Sequence, residues 1–342
     1  MSELSLGHWA AVTLLAQIAP DGALQPTLGH WLAFGLFVIV LLVLDLVVFH
    51  RDSHEPTLRE SAFWTVIWCS IALGFNALVW WWRGPVTGIE FLTGYLVEWS
   101  LSMDNVFVFA VIFGFFGVPL KYQYRVLFWG ILGAIVMRLA FILLGTALLE
   151  RFHWVMWIFG AFLIYTGIKL AMHTGSEVNP EKNLLMRIAK RLFPMAQESH
   201  GQKFFVVENG RRCITPLFLV LLVVESTDVL FAVDSVPAIF GITKDPFIVF
   251  TSNIFAILGL RALYFLLAGV MDLFRYLNYG LSAVLVFVGA KMVGEFWTGG
   301  QLVTPSVSLV AILALLGVSI VASLAAPRLD GDAPDETPQG GS

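Results

Sequence analysis

Nine mainly apolar runs, each long enough to cross a bilayer, occupy most of this chain: 31–49, 61–82, 88–116, 126–149, 154–172, 216–240, 247–271, 280–296 and 305–324. In hydrocarbon no water is present to pair backbone N–H and C=O groups, so runs of this length fold as helices that satisfy those groups internally. Composition agrees: of 342 residues 58% are apolar and 13% charged, against about 45–50% and about 25% in soluble domains. The fold class is therefore all-α and polytopic, with about nine transmembrane helices over 31–325.

Residues 1–30 form an extracytoplasmic N-terminal segment without Lys or Arg. Leu6 to Ile18 thus lacks the basic region of a secretory signal and reads as an uncleaved interfacial helix. Residues 326–342, rich in Pro, Gly and Asp, form a disordered cytoplasmic tail. Two cysteines, Cys69 and Cys213, are too few for a disulfide framework or a thiolate metal site. The net charge of −4 carries little information, and nothing in the chain points to a nucleic acid.

What does carry information is where the basic residues fall along the topology. Placing the N-terminus outside puts thirteen of the twenty Lys and Arg residues in cytoplasmic segments and leaves Arg83, Arg151 and Lys244 outside. That asymmetry is the positive-inside signature, and it implies a multi-pass protein of the cell's inner (plasma) membrane, N-terminus out and C-terminus in. The cytoplasmic loop 173–213 holds an amphipathic helix at 181–193, with Leu184, Leu185, Ile188 and Leu192 on one face, which rests on the inner leaflet and anchors the topology.

Ionised carboxylates inside spans are expensive and are kept mainly where they bind something. Two clusters stand out: Glu98-Trp-Ser-Leu-Ser-Met-Asp104-Asn105, and Glu225-Ser-Thr-Asp228-Val-Leu-Phe-Ala-Val-Asp234-Ser235. Glu98 and Asp104 are six residues apart, as are Asp228 and Asp234, and one span after each pair comes an intramembrane arginine, Arg138 or Arg261. One span later again comes a Gly-x-Lys, ending in Lys169 or Lys291. Each unit contains three spans, an odd number, so the second enters the membrane from the opposite side. The expectation is two inverted three-helix repeats, spans 3–5 over 88–172 and spans 6–8 over 216–296, with the site near the midplane between them. Pro237 should kink or unwind span six. Glu98 and Asp104, about 120° apart on a continuous helix, would face one ligand only if span three also opens.

The donors in these clusters are hard oxygens: Glu98, Asp104, Asn105, Glu225, Asp228, Asp234 and Ser235, with Ser102 and Asn253 as further candidates. Such sites suit magnesium, calcium or manganese. Five acids against Arg138, Lys169, Arg261 and Lys291 leave the core near −1, so a divalent ion is tolerated, and coupling to protons is open. Met103 could add a soft thioether that favours manganese, though packing is its commoner use. Arg138 and Arg261 read equally well as charge-balancing helix pins and as gating groups. Lys169 and Lys291 sit near span ends, where snorkelling to the interface outweighs contact with substrate. Asp45 can reach the cytoplasmic interface, and Glu90 and Glu295 are solvated at span ends. A purely structural salt-bridge network is the competing reading of the acid pairs.

At Glu98–Phe109, Glu225–Phe240 and Thr251–Tyr264 the chain resembles the TerC/Alx family of integral membrane proteins, named for tellurium resistance, and is similar to the wider LysE-type transporter superfamily. The resemblance covers about residues 30–325. It implies export of manganese(II) with the acidic positions above, a role in supplying manganese to secreted enzymes, and a looser link to tellurite resistance.

Two functions follow as expectations. The first is a secondary transporter exporting manganese from the cytoplasm by alternating access. The second is a membrane metal-handling or interaction protein that supplies manganese to secretory machinery or exoenzymes, or contributes to tellurite resistance, without itself moving the ion. An enzyme is not expected, because no nucleophile–base arrangement is present.

Overall fold

The computed structural model describes residues 26–49, 57–172, 184–196, 201–208, 210–268 and 276–325. The expected interfacial helix at 6–18 and the tail at 326–342 lie outside the described residues. In chain order the elements are α1 (Leu28–Phe49), α2 (Leu58–Arg83), α3 (Pro85–Phe115), α4 (Leu120–Arg151), α5 (Val155–Met172), α6 (Leu184–Leu192), β1 (Phe205–Glu208), β2 (Arg211–Ile214), α7 (Pro216–Phe240), α8 (Pro246–Leu258), α9 (Leu260–Ala268), α10 (Leu277–Thr298) and α11 (Pro305–Ala325).

Local chemistry sets the helix ends. The Thr57 hydroxyl accepts the Glu60 amide at the start of α2, and α3 follows at once because Gly84, at φ +91°, turns the chain ahead of Pro85. Thr215 and Asp245 cap α7 and α8 in the same way, each with a proline at the first helical position. Among the described residues eight helices are long and apolar enough to cross a membrane, and α8 with α9, bent by 42°, makes a ninth crossing.

That bend is the single interrupted span among those described, and it is not where the sequence placed one. Helix α3 runs unbroken from Pro85 to Phe115 through both Glu98 and Asp104, and α7 runs unbroken through Pro237 to Phe240. Pro237 sits in the last turn of α7, where its missing N–H removes one bond and only three residues follow. The interruption falls instead at Gly259, two residues before Arg261, with Trp68 of α2 packed alongside.

The inverted-repeat expectation concerns how α3, α4 and α5 meet α7, α8–α9 and α10. Helix α3 packs on α8, α4 packs on α7, and the third helices, α5 and α10, pack on one another more closely than any other pair. Exchanging the two triplets maps this set of contacts onto itself, so the packing is consistent with inverted repeats. Glycines allow the α5–α10 approach: a side chain at Gly160 would meet the Gly289 carbonyl, one at Gly289 would meet that of Gly160, and the Ser282 hydroxyl donates to the Gly167 carbonyl at 2.5 Å. Helices α1, α2 and α11 are peripheral. Rings fasten α1, with Trp31 and Phe34 against Phe247 and Phe250 of α8.

Between the triplets, α6 buries Met186 and Ala189 while Leu185, Ile188 and Leu192 face outward beside Arg187, Lys190 and Arg191. A two-stranded antiparallel hairpin follows, pairing Phe205 with Ile214 and Glu208 with Arg211. It was not expected, although Asn209-Gly210 is a strong hairpin-turn signal and Gly210 adopts φ +74°.

Candidate functional site

The centre of the bundle is organised by Arg138 of α4, which is almost wholly buried. Its Nη1 lies 2.7 Å from Glu98 Oε1 on α3 and donates to Asn253 Oδ1 on α8 at 2.6 Å and to Ser235 Oγ on α7. Asn253 is oriented by its own helix, since its Nδ2 donates to the Val249 carbonyl one turn back at 3.0 Å. One side chain thus ties together the first two helices of each triplet. Asp228 of α7, also buried, lies within electrostatic reach of both Arg138 and Glu98.

The hydrogen count at this point is informative. A guanidinium Nη carries two protons, yet three acceptors crowd Arg138 Nη1. Ser235 and Asn253 receive hydrogen bonds of good geometry, while both Glu98 oxygens are buried without one. Glu98 is 0% exposed; the Arg138 guanidinium balances its charge, while its second oxygen keeps lone pairs that a further cation or proton could share.

The remaining donors divide because α3 does not open. Asp104, six residues beyond Glu98 on a continuous helix, points elsewhere, and it lies within electrostatic reach of Asp234 of α7. Asp234 is hydrogen-bonded to Thr166 and lies close to Lys169, both on α5. Lys169 therefore keeps company with the second acid pair. Glu225 is half-buried near Asp228, and its carboxylate fills the space that a side chain at Gly133 of α4 would need. Asn105, Ser102 and Met103 are buried on α3, Met103 within an apolar cluster. Among the described residues no three Asp, Glu, His or Cys side chains converge closely enough to hold a metal ion by themselves. Of the seven donors named from the sequence, Glu98, Asp228, Glu225 and Ser235 gather near Arg138 and Asp104 lies with Asp234, giving two groups in place of one shell.

The second half departs from the first at its arginine. Arg261 of α9 is ion-paired with Asp45 of α1 and lies over the Tyr124 ring at 4.1 Å. Asp45 is buried in that pair. Lys291 of α10 is also buried, 3.8 Å from Glu295, with Glu90 in electrostatic reach. Glu90 accepts the Thr243 hydroxyl at 2.8 Å. A second buried pair, Arg83 of α2 with Asp245 at the start of α8, had no local signal in sequence, because its partners lie far apart along the chain.

Comparison with known proteins gives the family. The description "Integral membrane protein TerC family" matches residues 83–330. The chain is 54% identical over 311 residues to "Uncharacterized membrane protein STKORF319" of Myxococcus xanthus, covering 90% of this chain and 96% of that protein. It is 43% identical over 301 residues to the Salmonella typhi protein named "Putative membrane-bound redox modulator Alx", covering 85% and 92%. The Escherichia coli K12 protein of the same name is 46% identical over 271 residues, covering 77% and 84%. No solved structure matches. A bundle of membrane-crossing helices closed around Arg138 and its carboxylates, with a family match over most of the chain, places this multi-pass protein in the TerC family of integral membrane proteins.

Proposed function

We propose that the protein is a secondary transporter that exports manganese(II) from the cytoplasm, with Glu98 and Asp228 as the central ligands and Asp104–Asp234 as the neighbouring step. The observation that carries this reading is the Glu98 carboxylate, fully buried at the junction of both triplets with acceptor capacity that Arg138 does not fill. A hard divalent ion entering there would be met by two carboxylates, the Asn253 and Ser235 oxygens and retained water, a shell suited to manganese, magnesium or calcium. Arg138 keeps the cluster intact when no ion is bound. The excess of basic residues on the α6–hairpin side supports that side as cytoplasmic.

The test is flux in vesicles reconstituted with the full chain. Manganese uptake should exceed that of empty vesicles, and Asp228→Asn should reduce it to background. Binding without flux would favour the metal-handling alternative. The redox role in the relatives' name finds no dithiol here, since Cys69 and Cys213 are unpaired on α2 and β2.

A further inference from the structure

At the end of the bundle opposite the α6–hairpin side lies a cavity of about 730 Å³, lined by Glu90, His153, Thr243, Lys244, Lys291 and Glu295 among others. These residues come from α3, the α4–α5 turn, the α7–α8 turn and α10, so both triplets contribute. Its charge arrangement is specific. Lys291, whose side chain is only 3% exposed, holds its ammonium 3.8 Å from Glu295 Oε1, beyond hydrogen-bonding distance, with Glu90 within electrostatic reach. Glu295 Oε1 is itself buried without a hydrogen-bond partner. Asp245, on the same rim, is already engaged by Arg83 and by the Phe247 and Ile248 amides. Lys244 is exposed. A lysine drawn this far from water within reach of two carboxylates, yet hydrogen-bonded to neither, stands where a cation is wanted.

We propose that Glu90 and Glu295 form a second, low-affinity site for a hydrated divalent cation, and that the Lys291 ammonium is its built-in competitor. Two carboxylates leave most of the ion's water in place, as suits a site that must release its guest. With Lys291 inserted, the glutamates and the lysine sum to −1. When a divalent ion arrives, the ammonium swings toward the open cavity and the ion neutralises both glutamates. The cavity and the central cluster share α7: Phe240, packed against Gly145, lines the cavity and lies five residues, roughly 7–8 Å of helix rise, beyond Ser235. This assignment rests on the cation reading above and deepens it, giving the ion a last stop before it leaves.

The experiment follows manganese binding to the full-length protein in detergent by electron paramagnetic resonance of the free aqueous ion. It is run in an Asp228→Asn background, so that the central cluster contributes little. Residual binding is expected there. Lys291→Met should lower its half-saturation concentration on the order of tenfold, the effect of removing one nearby positive charge in a partly wet site. Lys291→Arg should leave it near the parent, and Glu90→Gln with Glu295→Gln should abolish it. Absence of residual binding, or residual binding indifferent to Lys291→Met and to the double glutamine variant, overturns the assignment. If instead Asp228→Asn binds like the unsubstituted protein while the vestibule variants behave as expected, the central reading fails and this one stands.

Discussion

At the scale of single residues, Arg138 and Glu98 are unequal partners. Removing Arg138 would leave Glu98 and Asp228 buried with no positive charge at hand, and breaking one side of such a pair costs about 3–5 kcal/mol. Arg138→Ala should therefore lower the melting temperature in detergent sharply. Glu98→Gln should separate the carboxylate's part in binding from its part in stability. Asp228 stays within reach to balance Arg138, so the melting temperature should fall far less than in Arg138→Ala while manganese flux in vesicles disappears. A parallel collapse of stability in Glu98→Gln would mark the carboxylate as structural. Sequence showed Glu98, Asp228 and Arg138 because buried charges in apolar runs need no context to be conspicuous. It did not show the Asp45–Arg261 pair, whose members are 216 positions apart. Nor did it show that Glu90 and Glu295, at the ends of different spans, line one cavity with Lys291.

At the scale of elements, the spans were legible to within a few residues because hydrophobic length alone defines them. The interruptions were not. A proline three residues from the end of α7 has little helix left to disturb, whereas the chain bends at Gly259, whose φ of −77° is ordinary for any residue. The bend therefore depends on packing against Trp68 and not on glycine's backbone freedom. Gly259→Ala, whose new methyl would lie 3.5 Å from the nearest Trp68 atom, should leave melting temperature and flux nearly unchanged. Gly289→Leu is a contrasting case. It would drive a bulky side chain into the Gly160 carbonyl and Ile164 across the α5–α10 seam, and overpacking of that kind costs about 1–3 kcal/mol. A lower melting temperature and lost flux are expected, measured on the same preparations.

At the scale of the whole molecule, the orientation argument and the location of the vestibule make a joint prediction. In a background without Cys69 and Cys213, a cysteine replacing Gln301 on the vestibule rim should react with an impermeant thiol reagent in intact cells. One replacing Arg211 on the hairpin should react only after permeabilisation; the reverse pattern would place the vestibule inside. The order of acid pair, arginine and lysine was legible as a repetition in the chain, and the helix pairing is consistent with it. The sharing-out of its charged groups was not, because each copy meets different neighbours. Lys169 lies with Asp234, its counterpart Lys291 with Glu90 and Glu295, and Arg138 holds the centre while Arg261 is held by α1.

The Asp45–Arg261 pair is where that divergence has its largest effect. A strictly duplicated, flipped molecule would present the same charges to either face of the bilayer. By tethering one guanidinium to an added outer helix, the chain leaves its twin alone with the acidic oxygens. The two sides of the membrane thereby acquire different electrostatic landscapes from one repeated sequence plan.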